Sequence, residues 1–83
     1  MLVNEARKNA IEKIWNSLPS IIRHNIEDAV NEGKLNCKIG FNDDEIDRDE
    51  FNNCVRYFND LKELGYTTFE NKVYDKYVIT ILW

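Results

Sequence analysis

The 83-residue chain has no glutamine, one proline, one histidine, two serines, two cysteines and three glycines. One proline and three glycines leave no material for long loops or low-complexity linkers. Cys37 and Cys54 are too few for a secreted disulfide scaffold. With a single histidine they cannot close a tetrahedral zinc site unless carboxylates help. We expect two reduced thiols, each acting as a small core hydrophobe. Ser17 and Ser20 flank a predicted helix break, so a Ser- or Cys-based triad lacks its parts. No GxGxxG or Walker A pattern is present, and no cofactor is expected. No apolar run approaches the ~18 residues of a membrane span. The stretch from Met1 to Ala10 is too polar for a signal peptide, which leads to a cytoplasmic expectation. Cations are also in deficit: eleven Lys and Arg stand against fifteen Asp and Glu, for a net charge of −4. That balance argues against a nucleic-acid binder.

What is present is ordinary globular composition, 43% apolar and 31% charged. Length sets a single domain over 1–83, with a helical segment over 1–33 and a βαββ unit over 34–83. Ala6, Ala10, Ile11, Ile14, Trp15 and Leu18 repeat at helical spacing. Pro19 disfavours helical geometry at Leu18, so one kinked helix or a helix pair is expected. Ser17 or Ser20 is placed to cap the second stripe, Ile21, Ile22, Ile26, Ala29 and Val30. Gly33 stops it. The period then falls to two at Leu35, Cys37, Ile39 and Phe41, the mark of a half-buried strand.

Asp47 and Glu50 read as a capping box, with Ile46 and Phe51 as the hydrophobic staple. A helix carrying Phe51, Cys54, Val55, Phe58, Leu61 and Leu64 follows, stopped at Gly65. Tyr66 to Glu70 is expected as a strand, Asn71 and Lys72 as a turn, and residues near Tyr74 to Trp83 as the last strand. Tyr77, Ile79, Ile81 and Trp83 make one face of it and Val78, Thr80 and Leu82 the other. A strand apolar on both faces belongs in the sheet centre. A right-handed crossover makes the first two strands parallel. The predicted fold is α+β, two-layered: a helix or helix pair, then a split β-α-β-β with the last strand central. Thr67, Phe69, Val78 and Leu82 then fall on the sheet face away from the helices. An apolar patch there marks an interface unless the N-terminal helices cover it.

The densest feature is Asp43-Asp44-Glu45-Ile46-Asp47-Arg48-Asp49-Glu50, six acids and one base. These eight residues carry −5, so the rest of the chain is close to neutral. Set as the end of an EF-hand loop, the segment puts Ile39 and Phe41 at ligand positions, which excludes calcium chemistry of that kind. No metal site is expected. Two readings remain. The carboxylates of Asp43, Asp44, Glu45, Asp47 and Asp49 form a negative patch that mimics nucleic-acid phosphate or docks on a basic protein surface, steering association. Alternatively they are a solvated helix start, favoured by the macrodipole. His24 points away from the core stripe of its helix and is expected at the surface.

Asn31-Glu-Gly33-Lys34 leading into an alternating strand, Leu61-Lys-Glu-Leu64-Gly65-Tyr66, and the hairpin ending Val78-Ile-Thr-Ile-Leu-Trp83 together resemble a recurrent type of small phage-encoded α+β accessory protein. Eleven Asn, nine Ile and seven Lys resemble the usage of AT-rich genomes. The resemblance supplies no catalytic residues. It implies a phage or mobile-element origin. The function we expect is a non-enzymatic accessory protein that binds and inhibits a host protein, such as a defence component. The expected contact residues are Asp43, Asp44, Glu45, Asp47, Asp49, Phe69, Val78 and Leu82. A self-assembling virion or accessory subunit is the alternative. A third reading is an oligomeric sponge for a small nucleotide, with a basic pocket drawn from residues such as Arg23, Arg48 or Arg56. Neither nucleic acid nor a membrane is expected as a partner.

Overall fold

A computed structural model describes residues 3–83. Four helices, α1 (Val3–Ser17), α2 (Ser20–Asn31), α3 (Glu45–Val55) and α4 (Phe58–Glu63), are joined by three strands, β1 (Asn36–Asn42), β2 (Thr67–Val73) and β3 (Lys76–Leu82). The strand order is β1-β3-β2, and both outer strands run antiparallel to β3. The outer strands are therefore parallel to each other, as expected of a split βαβ unit. The α+β, two-layer reading with the last strand central holds.

One apolar core lies between sheet and helices. Leu18, Ile22, Ile26 and Ala29 meet Cys37, Ile39 and Phe41 of β1, Phe51 and Cys54 of α3, Leu61 of α4, and Ile79 and Ile81 of β3. No polar or charged residue is buried among the described residues. Phe51 links the layers, edge-on to Phe41 at 5.8 Å and tilted against Tyr77 at 4.8 Å.

Two glycines end helices and launch strands. Gly33 has φ 76°, and the Lys34 N–H donates to the Ala29 carbonyl at 2.9 Å. Gly65 has φ 97°, and the Tyr66 N–H donates to the Leu61 carbonyl at 2.9 Å. Both are Schellman stops, which need a left-handed residue. One delivers the chain to β1, the other to β2.

The structure corrects several local expectations. Pro19 separates two helices and is itself the N-cap of α2, with no side-chain cap. The Ser17 hydroxyl instead donates back to the Ile14 carbonyl at 2.7 Å. Leu35 precedes β1 and is 70% exposed, so it does not join the buried face. Val30 is likewise exposed. Helix α3 starts earlier than the Asp47–Glu50 pattern indicates: Asp44 is its N-cap, and Ile46, 80% exposed, makes no staple. The long helix expected through Leu64 breaks after Val55. There the Tyr57 N–H donates three residues back to Cys54, a 3₁₀-type tightening that ends α3. The last turn is at Tyr74 and Asp75 rather than Asn71 and Lys72, because Val73 pairs with Lys76 and the ladder continues through both earlier residues.

Tyr74 sits in the left-handed region, φ 57°, where a Cβ is disfavoured by roughly 1–2 kcal/mol. Tyr74→Asn is expected to raise stability by about 0.5–1 kcal/mol in urea denaturation, since asparagine tolerates that region. Ile79→Ala, at a fully enclosed site, is expected to lower it by about 2–5 kcal/mol.

Candidate functional site

The face of the sheet away from the helices is uncovered. Residues paired across an antiparallel ladder point to the same side, so the register reads the face directly. Its four rows are Asn36–Leu82–Thr67, Lys38–Thr80–Phe69, Gly40–Val78–Asn71 and Asn42–Lys76–Val73. The β1 residues in these rows are all exposed, while the intervening Cys37, Ile39 and Phe41 are buried. Phe69 is 54% exposed and Val73 46%, and Val78, Thr80 and Leu82 are half-buried. The predicted Phe69, Val78 and Leu82 thus share one surface with Thr67, and neither α1 nor α2 covers it. Val73 was outside the sequence-based reading because the strand was expected to stop at Glu70. The alternation Thr67, Phe69, Asn71, Val73 was the available signal.

The chemistry of this face is one-sided. None of its twelve strand positions is acidic, in a chain with fifteen carboxylate side chains. Lys38 and Lys76 are its two charges. Amides and hydroxyls of Asn36, Asn42, Asn71, Thr67 and Thr80 surround the apolar band of Phe69, Val73, Val78 and Leu82. Gly40 opens on empty space and lies in unbroken register, so it makes neither a bulge nor a close backbone approach.

The acidic segment lies elsewhere, where β1 turns into α3 on the helix side, and much of it is engaged locally. The Asp44 carboxylate accepts from the Asp47 N–H at 2.8 Å, which caps α3. The Asp47 carboxylate accepts from the Asn42 N–H at 2.9 Å, which ties the cap to the end of β1. Asp43 accepts from Arg48 at 2.6 Å and stands 3.6 Å from the Lys72 ammonium. Lys72 also lies over the Tyr77 ring at 5.1 Å. The Arg48 bond, followed by the Lys72 charge, holds the Asp43 carboxyl below the usual range. Glu45 and Asp49 remain exposed, beside Ile46. The five predicted acids and the three predicted sheet residues therefore form two surfaces.

Both cysteines are buried free thiols. Burial pushes the Cys37 thiol up, and burial with the nearby Glu50 pushes Cys54 up to about 11. A thiol held protonated is a poor nucleophile. His24 is exposed on α2. Arg48 is committed to Asp43, and the Arg23 Nε is buried without a hydrogen-bond partner. Among the described residues no group of three or more His, Cys, Asp and Glu could hold a metal ion, and no helix is long and apolar enough to cross a membrane.

No protein-family model, characterised protein or solved structure matches the chain. The functional reading therefore rests on these surfaces.

The corner bonds predict two outcomes. Asp44→Ala removes a helix cap and should cost about 1 kcal/mol in chemical denaturation. Asp43 titrates lower in the folded protein than its ordinary value of 3.8. Its contribution is present above the unfolded value and is lost as pH falls through the lower folded one. Asp43→Asn should therefore flatten the acid limb of a stability–pH curve below about pH 4 and leave its shape at neutral pH unchanged.

Proposed function

We propose that the protein is a non-enzymatic binding module whose contact surface is the open sheet face, with Phe69 as its apolar anchor. In the setting of the phage-type resemblance, it inhibits a host protein in the cytoplasm by covering a functional surface. The observation that carries this reading is the exposed apolar band on a sheet face free of carboxylates. Interfaces concentrate energy in a few central aromatic residues surrounded by groups that exclude water. Phe69, flanked by Thr80 and near Val78 and Leu82, suits that role. The absence of negative charge suits a partner surface that is neutral or acidic.

The acidic corner is the weaker candidate. Asp43, Asp44 and Asp47 have local partners, and exchanging those for a partner protein would weaken the α3 cap and its tie to β1.

Affinity capture from host lysate with wild type, Phe69→Glu and Asp49→Lys separates the surfaces. A specific partner should be retained by wild type and Asp49→Lys and lost by Phe69→Glu, with binding at least tenfold weaker when titrated, about 1.4 kcal/mol. Loss with Asp49→Lys and retention with Phe69→Glu would assign the contact to the acidic corner instead.

A further inference from the structure

Among the described residues, the apolar side of the first helix is largely open to solvent. α1 spans fifteen residues and buries none of them. Only its C-terminal turn, through Trp15, packs on the core. The molecule is correspondingly elongated, 49 × 26 × 17 Å. An isolated helix of this length is marginal in water, and most helices draw their stability from packing an apolar face. α1 has such a face. At ~100° per residue, Val3, Ala6, Ala10, Ile11, Ile14 and Trp15 share one side. Val3 is 68% exposed and Ile11 51%. The charges are sorted about this stripe. Arg7 lies within it, and Lys8 and Lys13 border it. Glu5 and Glu12 fall on the opposite side. A second α1 stacked face to face would set these cations against each other, so α1 is not its own best partner.

The chain carries a surface of the opposite character. On α3, Ile46, Asp49, Glu50 and Asn53 lie along one flank of the helix, with Glu50 at its edge next to the buried Cys54. All four are exposed, and Ile46 is an isolated apolar side chain flanked by carboxylates. None of the three acids tied into the corner, Asp43, Asp44 and Asp47, is on this face.

We propose that two copies of the chain associate, with α1 of each lying across the solvent face of α3 of the other. Val3, Ala10 and Ile11 close over Ile46, and Lys8 and Lys13 meet Asp49 and Glu50. The contact is made twice about a two-fold axis, so two modest helix contacts add toward the roughly 1,200 Å² of a specific interface. The inference is independent of the open sheet face, which stays uncovered in such a dimer.

The test uses the full chain in sedimentation equilibrium at about 100 µM and low salt. Wild type should be a dimer that weakens at least tenfold as salt rises to about 0.5 M. Lys8→Glu with Lys13→Glu, and separately Asp49→Lys with Glu50→Lys, should each be monomeric, with helical circular dichroism showing both folded. An equimolar mixture of the two double variants should form a heterodimer, because each now carries the complement of the other. Phe69→Glu should dimerise as wild type does. A wild-type monomer throughout, or a dimer unaffected by either double variant, would overturn the proposal. So would a mixture that stays monomeric. Loss of the dimer in Phe69→Glu alone would place self-association on the sheet face instead.

Discussion

Strand β3 is the element on which the sheet depends. Both outer strands bond to it and neither bonds to the other. Its Ile79 and Ile81 are fully enclosed by the helices, while Val78, Thr80 and Leu82 form the spine of the opposite face. One run of seven residues therefore supplies the floor of the core and the centre of the candidate surface. The two tasks are separated only by the period of two along an extended chain. A shift of one residue in its pairing would exchange the faces and expose the isoleucines.

That period is why so much of the fold was legible. Alternation in β1, two apolar faces in β3 and the glycines at 33 and 65 are local signals with one physical meaning each, and together they fix the strand order. What was misread depended on neighbours distant in sequence. Asp44 and Asp47 are both competent caps. The choice between them follows from Asn42, whose N–H takes the Asp47 carboxylate and leaves Asp44 to cap. Asn71 and Lys72 are better turn formers than Tyr74, but the seven-residue ladder with β3 runs through them and displaces the turn onto an aromatic residue with positive φ. The break after Val55 has no proline or glycine to announce it. For the candidate surface, the alternation of apolar residues placed Phe69, Val78 and Leu82 correctly. The freedom of this face from acid became visible only once the register set Asn36, Lys38, Asn42 and Lys76 beside them.

Charge in this protein is sorted by surface. The open sheet face bears no carboxylate, the corner before α3 concentrates them, and the apolar stripe of α1 is bordered by cations. A net charge of −4 describes none of these surfaces. Fields near a surface follow the local arrangement, so the surfaces can meet partners of different sign.

The order of the elements along the chain has a consequence for synthesis. β1 and β2 are translated before the strand that separates them, and they cannot pair across its place. Until residues 76–82 leave the ribosome, a nascent chain holds two unpaired strands and half a core, with Cys37, Ile39 and Phe41 lacking their floor. Sheet closure is then a single late event between segments about forty residues apart for β1 and β3, the kind of non-local step that slows folding. The helices, of which α1, α2 and α4 are stopped by Pro19, Gly33 and Gly65, can form beforehand and wait for it.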